Sequence, residues 1–129
     1  MPAAACVLDA SALLATMLGE PGASEVEERL VDACISAVNL SEVIAKLAER
    51  GVPPDVIVES LAELDLDVRE FDFAQASRAG LLRLPTRGFG LSLGDRACLA
   101  LAAELDRPAI TTDKAWTKLD IGITIEFVR

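Results

Sequence analysis

A chain of 129 residues, 52% apolar but only 4% aromatic, has room for one domain with one proper core. Histidine and tyrosine are absent, which excludes a Ser-His-Asp triad, a Cys-His pair and any histidine general base. The formal net charge of −9 argues at first against a nucleic-acid partner, yet residues 78–118 hold 7 basic and only 4 acidic residues, against 4 and 15 in residues 1–77.

No apolar stretch approaches the length of a membrane span, and the N-terminus lacks the basic region of a signal peptide. These features predict a cytoplasmic protein with no membrane partner. Cys6, Cys34 and Cys98 lie in apolar segments without CxxC spacing, so buried, reduced thiols are expected rather than a disulfide or zinc set.

In chain order, the apolar run at residues 3–8 reads as a fully buried strand with Asp9 at its tip. A helix over 10–18 follows, stopped by Gly19-Glu20-Pro21-Gly22, then a second helix over 24–32. Residues 33–38 form a second strand ending at Asn39, a good helix N-cap. Leu40, Val43, Ile44, Leu47 and Ala48 recur at the spacing of a core-facing helix closed by Gly51.

A helix over 55–64 carries apolar residues on more than one face, which suits either plain core or a partner surface. Residues 66–71 alternate as an edge strand should, and a helix over 73–84 ends at Pro85. After a loop at 86–90, residues 93–105 form a helix apolar nearly all round. Residues 109–112 are a strand closed by Asp113, and 123–128 are the last strand. This alternation predicts one α/β domain over residues 1–129, with a largely parallel sheet of about five strands.

Four acids occupy one kind of place. Asp9 follows the first strand, Glu42 lies in the first turn of the helix after the second, Asp95 opens the apolar helix and Asp113 follows the strand at 109–112. Each has an ordinary explanation, because acids are favoured in first helical turns, and Asn39-Leu40-Ser41-Glu42 and Ser92-Leu93-Gly94-Asp95 have capping-box spacing. Their joint placement points elsewhere. In a parallel sheet the C-terminal strand ends share one edge, where ligands gather. Carboxylates crowded there repel one another unless some are protonated or a cation sits between them. All-oxygen ligands suit Mg²⁺ or Mn²⁺, which activate water and hold phosphate oxygens.

Val7-Leu8-Asp9-Ala10-Ser11, Asn39-Leu40-Ser41-Glu42-Val43, Leu91-Ser92-Leu93-Gly94-Asp95-Arg96-Ala97-Cys98-Leu99-Ala100 and Ile110-Thr111-Thr112-Asp113 resemble the PIN-domain nucleases. More closely they are similar to VapC-type ribonuclease toxins of bacterial type II toxin–antitoxin pairs, over essentially the full length. The resemblance implies a three-layer fold with strand order 3-2-1-4-5. It implies a Mg²⁺-dependent endoribonuclease with Asp9 and Asp95 as principal metal ligands, completed by Glu42 and Asp113. Ser11 and Thr112 match hydroxyl positions that support the acids or metal-bound water. Trp116 stands where some members carry a further acid, and Asp120 is displaced, so four acids are carried over. A homodimer and a VapB-type antitoxin covering the acidic pocket are also implied.

Arg78, Arg83, Arg87, Arg96, Lys114 and Lys118 are candidates for holding an RNA backbone, with ordinary solvated charge as the alternative for each. Two other classes compete: a PIN-like protein-binding module without catalysis, and an aspartyl-phosphate phosphatase or phospho-acceptor domain with Asp9 as nucleophile. Such phosphatases usually place a second acid two residues after the first, where Ser11 stands here.

Overall fold

The N-terminal apolar run becomes the centre of a five-stranded sheet. The structure, a computed structural model, describes residues 4–129; Ala3, counted above in the first strand, lies outside the described residues. Strand β1 (Cys6–Leu8) is flanked by β2 (Ala33–Ser36) and β4 (Ala109–Thr111), with β3 (Asp67–Arg69) and β5 (Ile125–Phe127) at the edges. The order is β3-β2-β1-β4-β5, and every neighbouring pair is parallel. The three inner strands are buried throughout, whereas the edge strands are partly exposed. Consecutive apolar residues are what a strand covered on both faces requires.

Helices α1 (Ala10–Leu18), α2 (Ala23–Arg29), α3 (Ala37–Glu49) and α4 (Pro54–Glu63) precede β3. They are followed by α5 (Phe73–Leu81), the short α6 (Arg83–Thr86) and α7 (Leu93–Leu105). Cys6, Leu8 and Ile35 pack on α1–α4 through Leu13, Val26, Val43, Leu47 and Ile57. Val7, Cys34 and Ala109 face the other way, onto Cys98, Leu99 and Ala102 of α7 and onto Trp116. The alternation along β1 and β2 thus divides the core into two layers. Among the described residues, no helix is long and apolar enough to cross a membrane.

Both edge strands are shorter than the runs at 66–71 and 123–128, and three other boundaries differ for local reasons. Strand β2 stops at Ser36, and α3 begins at Ala37 with the Ser36 hydroxyl accepting from the Val38 N–H at 3.2 Å, so Ser36, not Asn39, is the N-cap. The hydroxyl reaches the free N–H first, and the Asn39 side chain serves elsewhere. Helix α5 ends at Leu81, and Pro85 sits inside α6 rather than ending a helix; early in a helix the proline's missing N–H costs no bond. Helix α2 ends at Arg29 and gives way to a 3₁₀ turn, Leu30–Asp32. On α4, Ile57 and Leu61 are core, while Val56 and Val58 point outward, Val58 at 62% exposure.

Candidate metal centre

Parallel pairing brings the ends of β1, β2 and β4 to one edge, with Leu8 beside both Ile35 and Ile110. Asp9 stands at the centre of that edge. It occupies the N-cap position of α1, yet its side chain makes no capping bond. Instead its Oδ2 accepts from Ser11 Oγ at 2.7 Å and from Thr111 Oγ1 at 2.9 Å. The two hydroxyls lie 3.2 Å apart. They are themselves fixed by backbone, since Thr112 N–H donates to Ser11 Oγ and Asp113 N–H to Thr111 Oγ1, both at 3.0 Å.

Asp9 is only 5% exposed. Burial pushes its carboxyl up to about 6; the Ser11 and Thr111 hydroxyls oppose this, and the nearby charge of Asp95 adds to it. The Ala10 N–H opposes the rise only as the smallest contribution, so a carboxylate buried here without a capping hydrogen bond needs a different explanation from helix capping.

Glu42 also loses the capping explanation. With α3 starting at Ala37, Glu42 lies in the second helical turn rather than the first, beyond the reach of the N-terminal N–H groups. Its carboxylate lies over the first turn of α7, where a Cβ on Gly94 would stand 1.6 Å from Glu42 Oε1. Only glycine leaves room for that approach. Asn39, fully buried, ties the two helices together. Its Nδ2 donates to the Gly94 carbonyl at 2.9 Å and to Glu42 Oε1 at 3.3 Å, while its Oδ1 is left without a partner. Burial holds Glu42 above the ordinary carboxylate value; Asp95 pushes the same way, and Lys46 and Asn39 oppose.

The other two acids do cap. Asp95 completes a capping box, Ser92 N–H donating to its Oδ2 at 2.9 Å while its own N–H donates to Ser92 Oγ at 3.1 Å. Its charge nevertheless bears on both Asp9 and Glu42. All three act on the buried Cys98 thiol in the second turn of α7, which is raised first by burial, then by Asp9 and Asp95, then by Cys34 and Glu42. Asp113 is exposed and caps the 3₁₀ turn Lys114–Lys118 through Ala115 N–H at 3.0 Å. It belongs to the same edge without touching the other acids.

Among the described residues, no three acids or thiols converge into a ready-made ligand set. The donor chemistry still fits a hard divalent cation. Asp9, Glu42 and Asp95 offer oxygen only, burial and the charge of Asp95 penalise ionisation of Asp9 and Glu42, and Asn39 Oδ1 is an unmatched acceptor on the side chain that bonds Glu42. The three free thiols are buried, Cys6 and Cys34 pushed up to about 11, and take no part.

The supporting residues divide. Ser11 supports Asp9, but the second hydroxyl is that of Thr111; Thr112 contributes its backbone N–H. Opposing Leu8 with Ile110 sets Thr111 beside Asp9, and that register is not written in the local sequence.

The cation candidates do not form one patch. Arg96 is built into the fold, its Nη1 donating to the Ala79 carbonyl of α5 at 2.9 Å and its Nε buried. Arg78 lines a cavity of about 390 Å³ with Asp106, Pro108 and Thr124, at the opposite edge of the sheet where β4 and β5 begin. Arg83, Arg87, Lys114 and Lys118 are exposed. Residues the sequence reading passed over are Asn39 as a tether, Gly94, Thr111 and Lys46. Only Lys46, one helical turn after Glu42, had a visible signal in its spacing.

A parallel sheet covered on both faces, with carboxylates lining the edge where its central strands end, defines the class. Within that class the chain belongs to the PIN domain family, whose model matches residues 6–122. No curated protein matches the sequence as a relative. Solved structures share the fold over nearly their whole length. VapBC2 from Rickettsia felis, bound to a promoter DNA fragment, is 14% identical with a TM-score of 0.78, covering 96% of this chain and 98% of that one. DNA-bound VapBC from Salmonella typhimurium is 20% identical with a TM-score of 0.75, covering 95% and 97%. Mycobacterium tuberculosis VapC20, a sarcin-ricin loop cleaving toxin, is 13% identical with a TM-score of 0.71, covering 92% and 98%.

Proposed function

We propose that residues 1–129 act as one PIN domain that cleaves RNA internally in a Mg²⁺-dependent reaction, as the toxin of a type II toxin–antitoxin pair. The observation that carries this reading is Asp9: a buried carboxylate at the tip of the central strand, without a capping hydrogen bond, with the charge of Asp95 bearing both on it and on Glu42. Asp9 and Asp95 would hold Mg²⁺, with Glu42 and Asp113 completing the set and Mn²⁺ as a substitute. Bound there, the ion supplies activation of water and neutralisation of charge at the phosphate.

The chain's own residues do the positioning. Ser11 and Thr111 fix Asp9 through Oδ2. Asn39 and Gly94 let Glu42 lie against α7, and Ser92 orients Asp95. With no histidine in the chain, no side chain is an ordinary base at neutral pH. Similarity to toxin–antitoxin complexes supports a VapB-type antitoxin as partner; a basic antitoxin side chain over the acidic edge and a cytoplasmic homodimer are part of the same proposal.

The test is RNA cleavage by the purified chain with Mg²⁺, with EDTA, and by Asp9→Asn and Asp95→Asn. Cleavage requiring Mg²⁺ and lost in both variants is expected; unchanged cleavage in EDTA or in both variants overturns the proposal. The absence of a ready-made ligand set is the one observation favouring a non-catalytic binding module. Calorimetry with Mn²⁺ separates the two, because that module predicts folded protein with no metal affinity.

A further inference from the structure

Residues 1–77 contain only four cations, and the structure treats them unequally. Arg29 is paired with Glu126 across the sheet edge at 2.5 Å, and Arg69 holds Asp67 with two bonds at 2.8 and 2.9 Å. Lys46 has no acid within 4.0 Å among the described residues. Arg50 reaches Glu20 only at 3.9 Å, both side chains well exposed, a pairing worth little. These two weakly committed cations line the same crevice of about 210 Å³ between α1 and α3, whose other walls include Ser11 and Thr112. A second hollow of about 210 Å³ shares Glu20 and Thr112 and continues the crevice to Arg129.

The placement relative to the acids gives the crevice a purpose. Glu42 and Lys46 on α3 and Arg50 at its C-cap follow one another at four-residue steps, each step about 6 Å along the axis. Helix α3 therefore carries an acid of the candidate centre at one end of a stripe and two cations further along it. Ser11 belongs to both: its hydroxyl holds Asp9, and it also lines the crevice. Thr112 presents a side chain whose hydroxyl makes no hydrogen bond among the described residues. In a chain of net charge −9, cations so placed next to carboxylates suit an anion that spans both environments. Within the basic stretch at 78–118, Arg96 is built into the fold and Arg78 lies at the far edge of the sheet.

We propose that Lys46 and Arg50 form a subsite for the RNA phosphates that flank the one held at the acids, running the strand along α3 through the α1–α3 crevice. The inference rests on the RNA-cleaving reading and deepens it. Phosphate contacts of this kind position a strand without reading its sequence.

The experiment measures binding of a fluorescent single-stranded RNA of mixed sequence to the full chain in EDTA, by anisotropy, from about 50 to about 200 mM salt. Losing two phosphate contacts on a single strand lowers the slope of log Kd against log salt by about 1.4, uniformly across sequences. Lys46→Met/Arg50→Met is expected to show that fall and weaker binding, Lys46→Arg to retain the wild-type slope, and Arg107→Met, at the far cavity, to leave it unchanged. A wild-type slope in the Lys46/Arg50 double variant overturns the subsite and assigns these cations to a protein partner or to solvent. A fall of half that size in Arg107→Met overturns it as a general charge effect. If the wild-type chain neither binds RNA nor cleaves it with Mg²⁺, the functional reading itself falls; cleavage with an unchanged slope removes only the subsite.

Discussion

Replacing Asp9 by asparagine is expected to make the metal-free protein more stable at neutral pH while abolishing the proposed RNA cleavage. Burial raises the Asp9 carboxyl from 3.8 to about 6, which at about 1.4 kcal/mol per pH unit amounts to about 3 kcal/mol. The unfolded chain gives up this proton near 3.8 and the folded chain only near 6. The favourable contribution is therefore complete below 3.8 and is lost as pH rises through 6. Near neutral pH the folded state carries a buried charge that nothing neutralises.

Asparagine keeps the shape, and its Oδ1 still accepts from Ser11 and Thr111. Asp9→Asn should gain about 1–3 kcal/mol in EDTA at about pH 7.5, with the gain shrinking towards zero near pH 4. Saturating Mg²⁺ should narrow the gap, because only the wild type gains from binding. Urea unfolding followed through Trp116, the sole tryptophan and 1% exposed, measures this directly. An Asp9→Asn protein less stable than wild type at neutral pH, or a gain independent of pH, would refute the reasoning.

Gly94→Ala places a Cβ 1.6 Å from Glu42 Oε1. The glutamate must swing away while α7 gains up to about 1 kcal/mol of helix propensity. Thermal stability should therefore hold or rise, while Mn²⁺ affinity by calorimetry and RNA cleavage fall about 10–100-fold. Arg96→Met removes the bond from α7 to the Ala79 carbonyl. Chemical denaturation should show a loss of about 1 kcal/mol, and the salt dependence of RNA binding should not change.

Much of the architecture is legible locally. The runs at Cys6–Leu8, Ala33–Ser36 and Ala109–Thr111 are apolar enough to require cover on both faces, and helices on both sides provide it. The bounds of α1 and α7 follow from Gly19 and from the Ser92–Asp95 box. Boundaries set by competition are harder. Ser36 and Asn39 are both good caps, and only the point where β2 stops pairing with β1 and β3 decides between them. The bend after Leu81 is likewise tertiary, since the periodicity of α5 runs on smoothly towards Pro85.

The sequence by itself determined which residue types this protein has for chemistry: four acids at element junctions, no histidine, and thiols confined to apolar segments. It also determined the alternation of strands and helices that brings the strand ends to one edge. It could not separate a carboxylate that caps a helix from one that does not, because both occupy the same place in the chain. That distinction depends on backbone register and burial, which arise only when distant segments pack. Tertiary structure left Asp95 and Asp113 as caps, freed Asp9 and Glu42, chose Thr111 over Thr112 beside Asp9, and set Lys46 and Arg50 against Ser11 across a crevice.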